Sequence, residues 1–194
     1  MKSEAIVNEV FELYDRYGNE DYIGEPVSQI EHMSQAAALA MKEGYDDEVI
    51  LAAFFHDIGH LYEHIAHEKT AHMDDYGTVD HESLGADFVR NAGFGERMAK
   101  LVASHVQAKR YLVAAYPAYR QKLSEASMQT LILQGGPMND DEIFSFVNDP
   151  LYQEYIQLRY WDEQAKETNK PLPDLHHYRN MMINQLQQKL YVTH

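Results

Sequence analysis

Apolar residues recur at intervals of three and four along almost the whole chain, and strand-like alternation is hard to find. This spacing predicts an all-α protein with helices over about 3–16, 28–43, 46–57, 81–92, 95–113, 124–133, 140–147, 152–167 and 174–191. Ser28 and Glu31 announce one helix start, because a serine oxygen can cap free amides while the glutamate three residues on reaches back. Gly44, Gly93 and the Gly135-Gly136-Pro137 turn mark stops, since glycine tolerates a left-handed cap and proline cannot continue a helix. Residues 61 to 80 and 168 to 174 read as surface connections. No repeat and no dividing linker is visible, so residues 1–194 are expected to form a single domain.

The pattern is broken where polar groups fall on apolar faces. The run Val49 to Phe55 is so apolar that its helix must be buried, yet it leads into His56-Asp57-Ile58-Gly59-His60. An ionised carboxylate in such surroundings needs a partner, and a metal ion is one. The pentapeptide alone also fits a helix end at which Asp57 accepts backbone amides and the histidines face water. His32 shares a face with Ala36, Leu39 and Ala40, His105 continues the stripe of Met98, Leu101 and Val102, and Asp162 follows Tyr155 and Leu158. His81 opens a helix rich in small residues, where close packing is possible. Taken singly, each fits a satisfied core or cap residue. Together, four histidines and two carboxylates can serve two metals, with Asp57 bridging through its two oxygens. Ligands of oxygen and imidazole suit Fe, Mn, Zn, Co or Ni, and geometry must choose among them.

Composition narrows the field. There is no cysteine, which excludes disulfides, thiolate nucleophiles and iron–sulfur clusters. Sixteen basic and 31 acidic residues give a formal charge of −15, so the summed field repels nucleic acid. No stretch has the ~18–20 uninterrupted apolar residues of a membrane span, and the N-terminus lacks the apolar segment of a signal peptide. A cytoplasmic protein with no membrane partner is expected, and its oligomeric state stays open.

The flanking residues carry a resemblance. The order His…His-Asp…His…His…Asp is that of the HD-domain superfamily, known largely for metal-dependent phosphohydrolases. The blocks DYIGEPVSQIEH, AAFFHDIGH, HESLGADFV, HVQAKRYLV, QGGPM, YWDE and HYRNMM, running from about residue 21 to 182, are similar to those of HD-domain mixed-valent diiron oxygenases of the PhnZ type. The resemblance implies an HD-domain helical bundle with a dinuclear site in its core, two iron ions as an Fe(II)/Fe(III) pair, and O2 as co-substrate. It assigns His32, His56 and Asp162 to one iron, His81 and His105 to the other, and Asp57 to the bridge. It gives Tyr22 and Glu25 the part of a mobile pair, the tyrosine covering the second iron until substrate arrives. The residues alone also fit a tyrosine packed over a helix start and a glutamate near the positive end of a helix. The implied reaction is cleavage of the carbon–phosphorus bond of (R)-2-amino-1-hydroxyethylphosphonate or its N-trimethyl analogue, giving glycine or glycine betaine and phosphate.

A phosphonate dianion in an acidic protein must meet fixed cations. Lys109 lies one helical turn after His105 and Arg159 three residues before Asp162, so each projects near a metal face. His60 and Ser127, or Ser124, are further candidates for the substrate, and each of these side chains also fits a solvated role. Asp74 and Asp75 stand where the related enzymes have glycines, and would favour a methylated ammonium if they border the substrate; otherwise they solvate a loop. His64, His67 and His72 read as surface residues. The alternative function is an HD phosphohydrolase of a nucleotide or other phosphate ester, using a metal-bound hydroxide, and a regulatory protein with a structural metal is a third.

Overall fold

The structure, a computed structural model, describes residues 2–22, 24–65 and 80–192. These fold into helices α1 (Lys2–Tyr17), α2 (Gln29–Lys42), α3 (Asp47–Phe55), α4 (Ile58–Tyr62), α5 (His81–Asn91), α6 (Glu96–Ala115), α7 (Pro117–Arg120), α8 (Glu125–Leu133), α9 (Asp140–Val147), α10 (Tyr152–Gln164) and α11 (Leu175–Val192). No strand occurs among the described residues, only an isolated bridge between Asp21 and Ser28. The all-α expectation holds. No described helix is long and apolar enough to cross a membrane. Asp74, Asp75, His67 and His72 lie outside the described residues.

The centre of the bundle is α3, buried from Val49 to Phe55 and packed against α2, α6 and α11. Helix α10 lies on α2 and α6, and α5 lies on α4 and α6. The predicted start of α2 is present as a full capping box: the Ser28 amide donates to Glu31 Oε2 at 2.8 Å, and the Glu31 amide donates to Ser28 Oγ.

Two predicted helices end early, and each ending serves the site. The segment read as 46–57 stops at Phe55, because Asp57 leaves helical geometry (φ −107°, ψ 12°) before α4 begins. Consecutive residues on an unbroken helix point about 100° apart, so the break lets His56 and Asp57 face the same centre. The segment read as 152–167 stops at Gln164. Beyond it Gln35 holds the Glu167 backbone from both sides, accepting its N–H at 3.0 Å and donating to its carbonyl at 2.9 Å. Helices α4 and α7 are too short to stand out in the apolar pattern.

At the α4–α5 crossing, Gly59 meets the first turn of α5 backbone to backbone. A Cβ at Gly59 would fall 1.9 Å from the carbonyl oxygen of His81, and one at Gly85 would meet the Gly59 nitrogen at 3.3 Å. Only glycine permits this approach.

Candidate metal centre

His32 on α2, His56 and Asp57 at the α3–α4 break, His81 at the start of α5, His105 on α6 and Asp162 on α10 converge in the core, all buried. Six residues spread over 131 positions of sequence are thus one cluster. Asp57 lies between two imidazole pairs. Its Oδ2 is 3.4 Å from His32 Nε2 and 3.3 Å from His56 Nε2, and its Oδ1 is 3.5 Å from His81 Nε2 and 3.3 Å from His105 Nε2. Asp162 Oδ1 stands 3.3 Å from His32 Nε2, closing the first half-site.

The donor set fits two cations. The Nδ1 atoms of His32, His56 and His105 lie 2.9, 2.8 and 3.0 Å from the carbonyls of Ala165, Ala53 and Val102. Each carbonyl accepts an Nδ1–H, which turns the Nε2 lone pair inward, the usual support behind a metal-binding imidazole. Yet His32 and His56 bring their Nε2 atoms within 3.0 Å of each other, and His81 and His105 within 2.9 Å. Inward lone pairs at that distance call for a positive charge between them. Asp57 Oδ2 and Asp162 Oδ1 are buried with no hydrogen bond, an expensive state for carboxylate oxygens that a cation would relieve.

Electrostatics divides the halves. Burial alone would lower His32, but the Asp162 and Asp57 carboxylates outweigh it and raise it to about 9. A metal bound through His32 Nε2 needs the neutral imidazole, so its affinity there weakens as pH falls. Burial, reinforced by His56, lowers His105 to about 4. His81 is likewise held well below its usual value, by burial, His60 and His105. The second half-site therefore offers neutral imidazoles at any ordinary pH. Burial raises Asp57 and Asp162, but His56 in the one case and Arg159 in the other hold both well below the usual carboxylate range.

A small cavity opens onto this centre, and Tyr22, Glu25, His60, Lys109, Ser127 and Arg159 line it. Tyr22 stacks on His32 with ring centroids 3.9 Å apart. Burial and the Asp57 and Asp162 carboxylates push its phenol well above the usual value, so only an adjacent cation would make it a phenolate. His60 stacks on His81 at 4.1 Å and is lowered by burial. Asp57, His60 and His81 also form a group compact enough for one ion, so His60 adjoins the second half-site as well as the cavity.

Lys109 is buried and donates to Thr130 Oγ1 at 2.9 Å. Burial, reinforced by Arg159, lowers its ammonium to about 7. Arg159 donates from Nε to the Tyr119 hydroxyl at 3.0 Å, from Nη2 to Glu163 at 2.9 Å and to Ser127 at 3.3 Å, and from Nη1 to Asp162. Ser124 instead caps α8, accepting from the Ser127 amide at 3.2 Å. His64 stays outside the site, stacked on Tyr17 and 3.2 Å from Glu20. Sequence reasoning passed over Thr130, Tyr119, Glu163 and Lys166. Glu163 follows Arg159 by four residues, a spacing that signals a pair on a helix; Tyr119 and Thr130 gave no local sign.

Residues 30–133, more than half of the chain, match the family model of the HD domain, and the chain belongs to the HD-domain family. Among its relatives, an uncharacterized protein, L432, of Acanthamoeba polyphaga mimivirus is 44% identical over 93% of this chain and 81% of its own length. The [1-hydroxy-2-(trimethylamino)ethyl]phosphonate dioxygenase (glycine-betaine-forming) of Leisingera caerulea is 40% identical over 91% of this chain and 88% of its own. The hydroxymethylphosphonate dioxygenase of Gimesia maris is 38% identical over 89% and 84%. These relatives bear out the resemblance read from the motif blocks, and the chain is an enzyme of that oxygenase group.

Proposed function

We propose that this chain, as one HD domain over residues 1–194, is a diiron dioxygenase that cleaves the carbon–phosphorus bond of a 1-hydroxyphosphonate. The observation that carries the reading is the adjacency of two features: a carboxylate, Asp57, shared between two imidazole pairs, and a cavity beside it bearing Lys109 and Arg159. The names of the two dioxygenase relatives share one chemical unit, a carbon carrying both a hydroxyl and a phosphonate. Of the candidate substrates, (R)-2-amino-1-hydroxyethylphosphonate and its N-trimethyl analogue, yielding glycine or glycine betaine with phosphate, are the two that the motif blocks favour.

His32, His56 and Asp162 would hold one iron, His81 and His105 the other, with Asp57 between them. An Fe(II)/Fe(III) pair held there would supply O2 binding and the one-electron steps that hydrolysis lacks. Lys109 and Arg159 meet the phosphonate oxygens, with Ser127 and His60 beside them; the ammonium acts as a point charge, and the guanidinium, already donating to Tyr119, Asp162, Glu163 and Ser127, offers its charge and one remaining Nη1–H. Tyr22 covers the centre, and Glu25 receives it when it moves aside. Oxygen consumption and phosphate release on adding a hydroxyphosphonate test the reading, together with about two irons per chain. Full activity with stoichiometric zinc would overturn it. Competition between the free amine and the N-trimethyl compound decides the amine end, and exchanging Asp74 and Asp75 for glycine should narrow any preference for the methylated form.

Two expected results follow from the cavity. Because Lys109 sits near 7 when the cavity is free of anion, a phosphonate dianion binding at pH 8 should draw in up to about one proton, and affinity should weaken as pH rises above 7. Calorimetry in buffers of different ionisation enthalpy measures this uptake, and Lys109→Met should abolish it. The same group affects folding: its folded value lies below the unfolded one, so between about 7 and 10.5 the unfolded chain binds more protons and stability rises with pH. Tyr22→Phe keeps the ring and removes the oxygen. It should abolish a visible phenolate-to-iron absorption of the resting enzyme without unfolding it, and superimposable resting spectra would return Tyr22 to a packing role.

A further inference from the structure

Lys166 has no part in the reading above, yet it reaches the mouth of the same cavity. Its Nζ pairs with Glu25 Oε1 at 2.5 Å, and both side chains are largely buried, 18% and 11% exposed. The same Nζ stands 6.0 Å from the centre of the Tyr22 ring, at the reach of a cation–π contact.

The two ends of this ion pair are mounted differently. Lys166 lies between Ala165, whose carbonyl accepts from His32 Nδ1 at 2.9 Å, and Glu167, whose backbone is bonded in both directions by the buried Gln35. It is therefore fixed to α2 on either side. Glu25 sits on a tight turn in which the Tyr22 amide donates to the Val27 carbonyl, and the Glu25 amide to the Tyr22 carbonyl, each at 2.9 Å. Gly24 takes a left-handed φ of +77° within that turn. Val27 anchors the far end of the turn in the core and Tyr22 anchors the near end on His32, whereas Glu25 between them is held from outside by Lys166.

We propose that Lys166 is a positioning residue that pins the turn carrying Tyr22 and Glu25 over the metal centre, and so sets how readily Tyr22 gives way to an incoming ligand. Lys166 acts through Glu25. While the pair is made, Glu25 Oε1 is held toward Lys166 and the carboxylate is kept in place on the turn; when it breaks, the whole side chain is free to move with the displaced tyrosine. The inference takes from the proposed function the identity of what enters, but the pinning itself needs no substrate.

Hydrogen exchange in the iron-loaded, substrate-free, anaerobic protein tests it, read in peptides spanning residues 20–28 with the buried α3 as internal reference. Lys166→Met and Glu25→Gln should each speed exchange of the Tyr22 and Glu25 amides about tenfold, the scale of a lost charge-assisted contact. The double variant should go no further, Lys166→Arg should keep the protection, and α3 should be unchanged. Unaltered exchange in both single variants would overturn the proposal, as would additive effects in the double. Equal acceleration of α3 would also overturn it, by making Lys166 a general support of the fold. As a second reading, Lys166→Met should lower KM for the hydroxyphosphonate and raise oxygen uptake without it. Faster exchange with no phosphonate turnover would keep the pin and refute the proposed substrate; turnover with unchanged exchange would do the reverse.

Discussion

Asp57→Ala should strip the protein of both metals at once and abolish oxygenase activity. The carboxylate serves each half-site through a different oxygen, all four Nε2 atoms lie within 3.5 Å of it, and its Oδ2 is buried without another partner. Without it the second half-site keeps only His81 and His105 among its proposed ligands, and the first keeps His32, His56 and Asp162. Changing a mere supporting group behind a ligand lowers metal affinity by roughly 10–100-fold, so losing a shared ligand should exceed that on both sides. Metal analysis after desalting reads the outcome directly. His105→Ala is the contrast, expected to empty mainly one half-site. Selective loss of one and the same metal in both variants would contradict the bridging role of Asp57.

Arg159→Ala should damage binding and folding together. A charge-assisted contact to the phosphonate is worth about 1.5–3 kcal/mol, so KM should rise roughly 10- to 100-fold. The stability loss should be larger. Arg159 is the buried counter-charge of Asp162, and breaking such a pair by removing one partner costs about 3–5 kcal/mol. Burial pushes Asp162 up, and Arg159 is foremost among the groups that hold it well below the usual range. A carboxyl with a depressed folded value stabilises above its unfolded value and loses that contribution as pH falls. The variant should therefore lose a share of the pH-dependent stability that Asp162 supplies in the acid range, His32 and His56 retaining the rest. Arg159→Lys keeps the charge without the fork and should recover part of the stability and less of the binding. Urea unfolding of the metal-free protein and steady-state kinetics measure the two losses separately; unchanged values in both would remove Arg159 from the site and from the core network.

The helices were legible because their apolar spacing is local, as in α2, α6 and α11. The metal cluster was legible for a related reason: His32, His56, Asp57, His81, His105 and Asp162 are polar groups where the pattern demands apolar ones. What escaped depends on partners distant in sequence. Asn169 and Pro171 mark a stop a few residues late, because the groups that hold the backbone at Ala165 and Glu167, His32 and Gln35, lie on α2. The α3–α4 break was hidden because the apolar run continues helical in character up to the dipeptide that bends. Tyr119 and Thr130 acquire meaning only when α7 and α8 close over α6. Tyr22 and Glu25 were visible through resemblance, not through spacing, for a tyrosine before a capping box is ordinary on its own.

The contact of Gly59 with the His81 carbonyl has a bearing on how such a protein can diversify. Because α5 is seated directly on α4, touching backbones set where His81 enters the centre. A constraint on the chemistry thus falls on two glycines that offer no ligand atom, and a methyl group at Gly59 would be felt at His81 before any donor is changed.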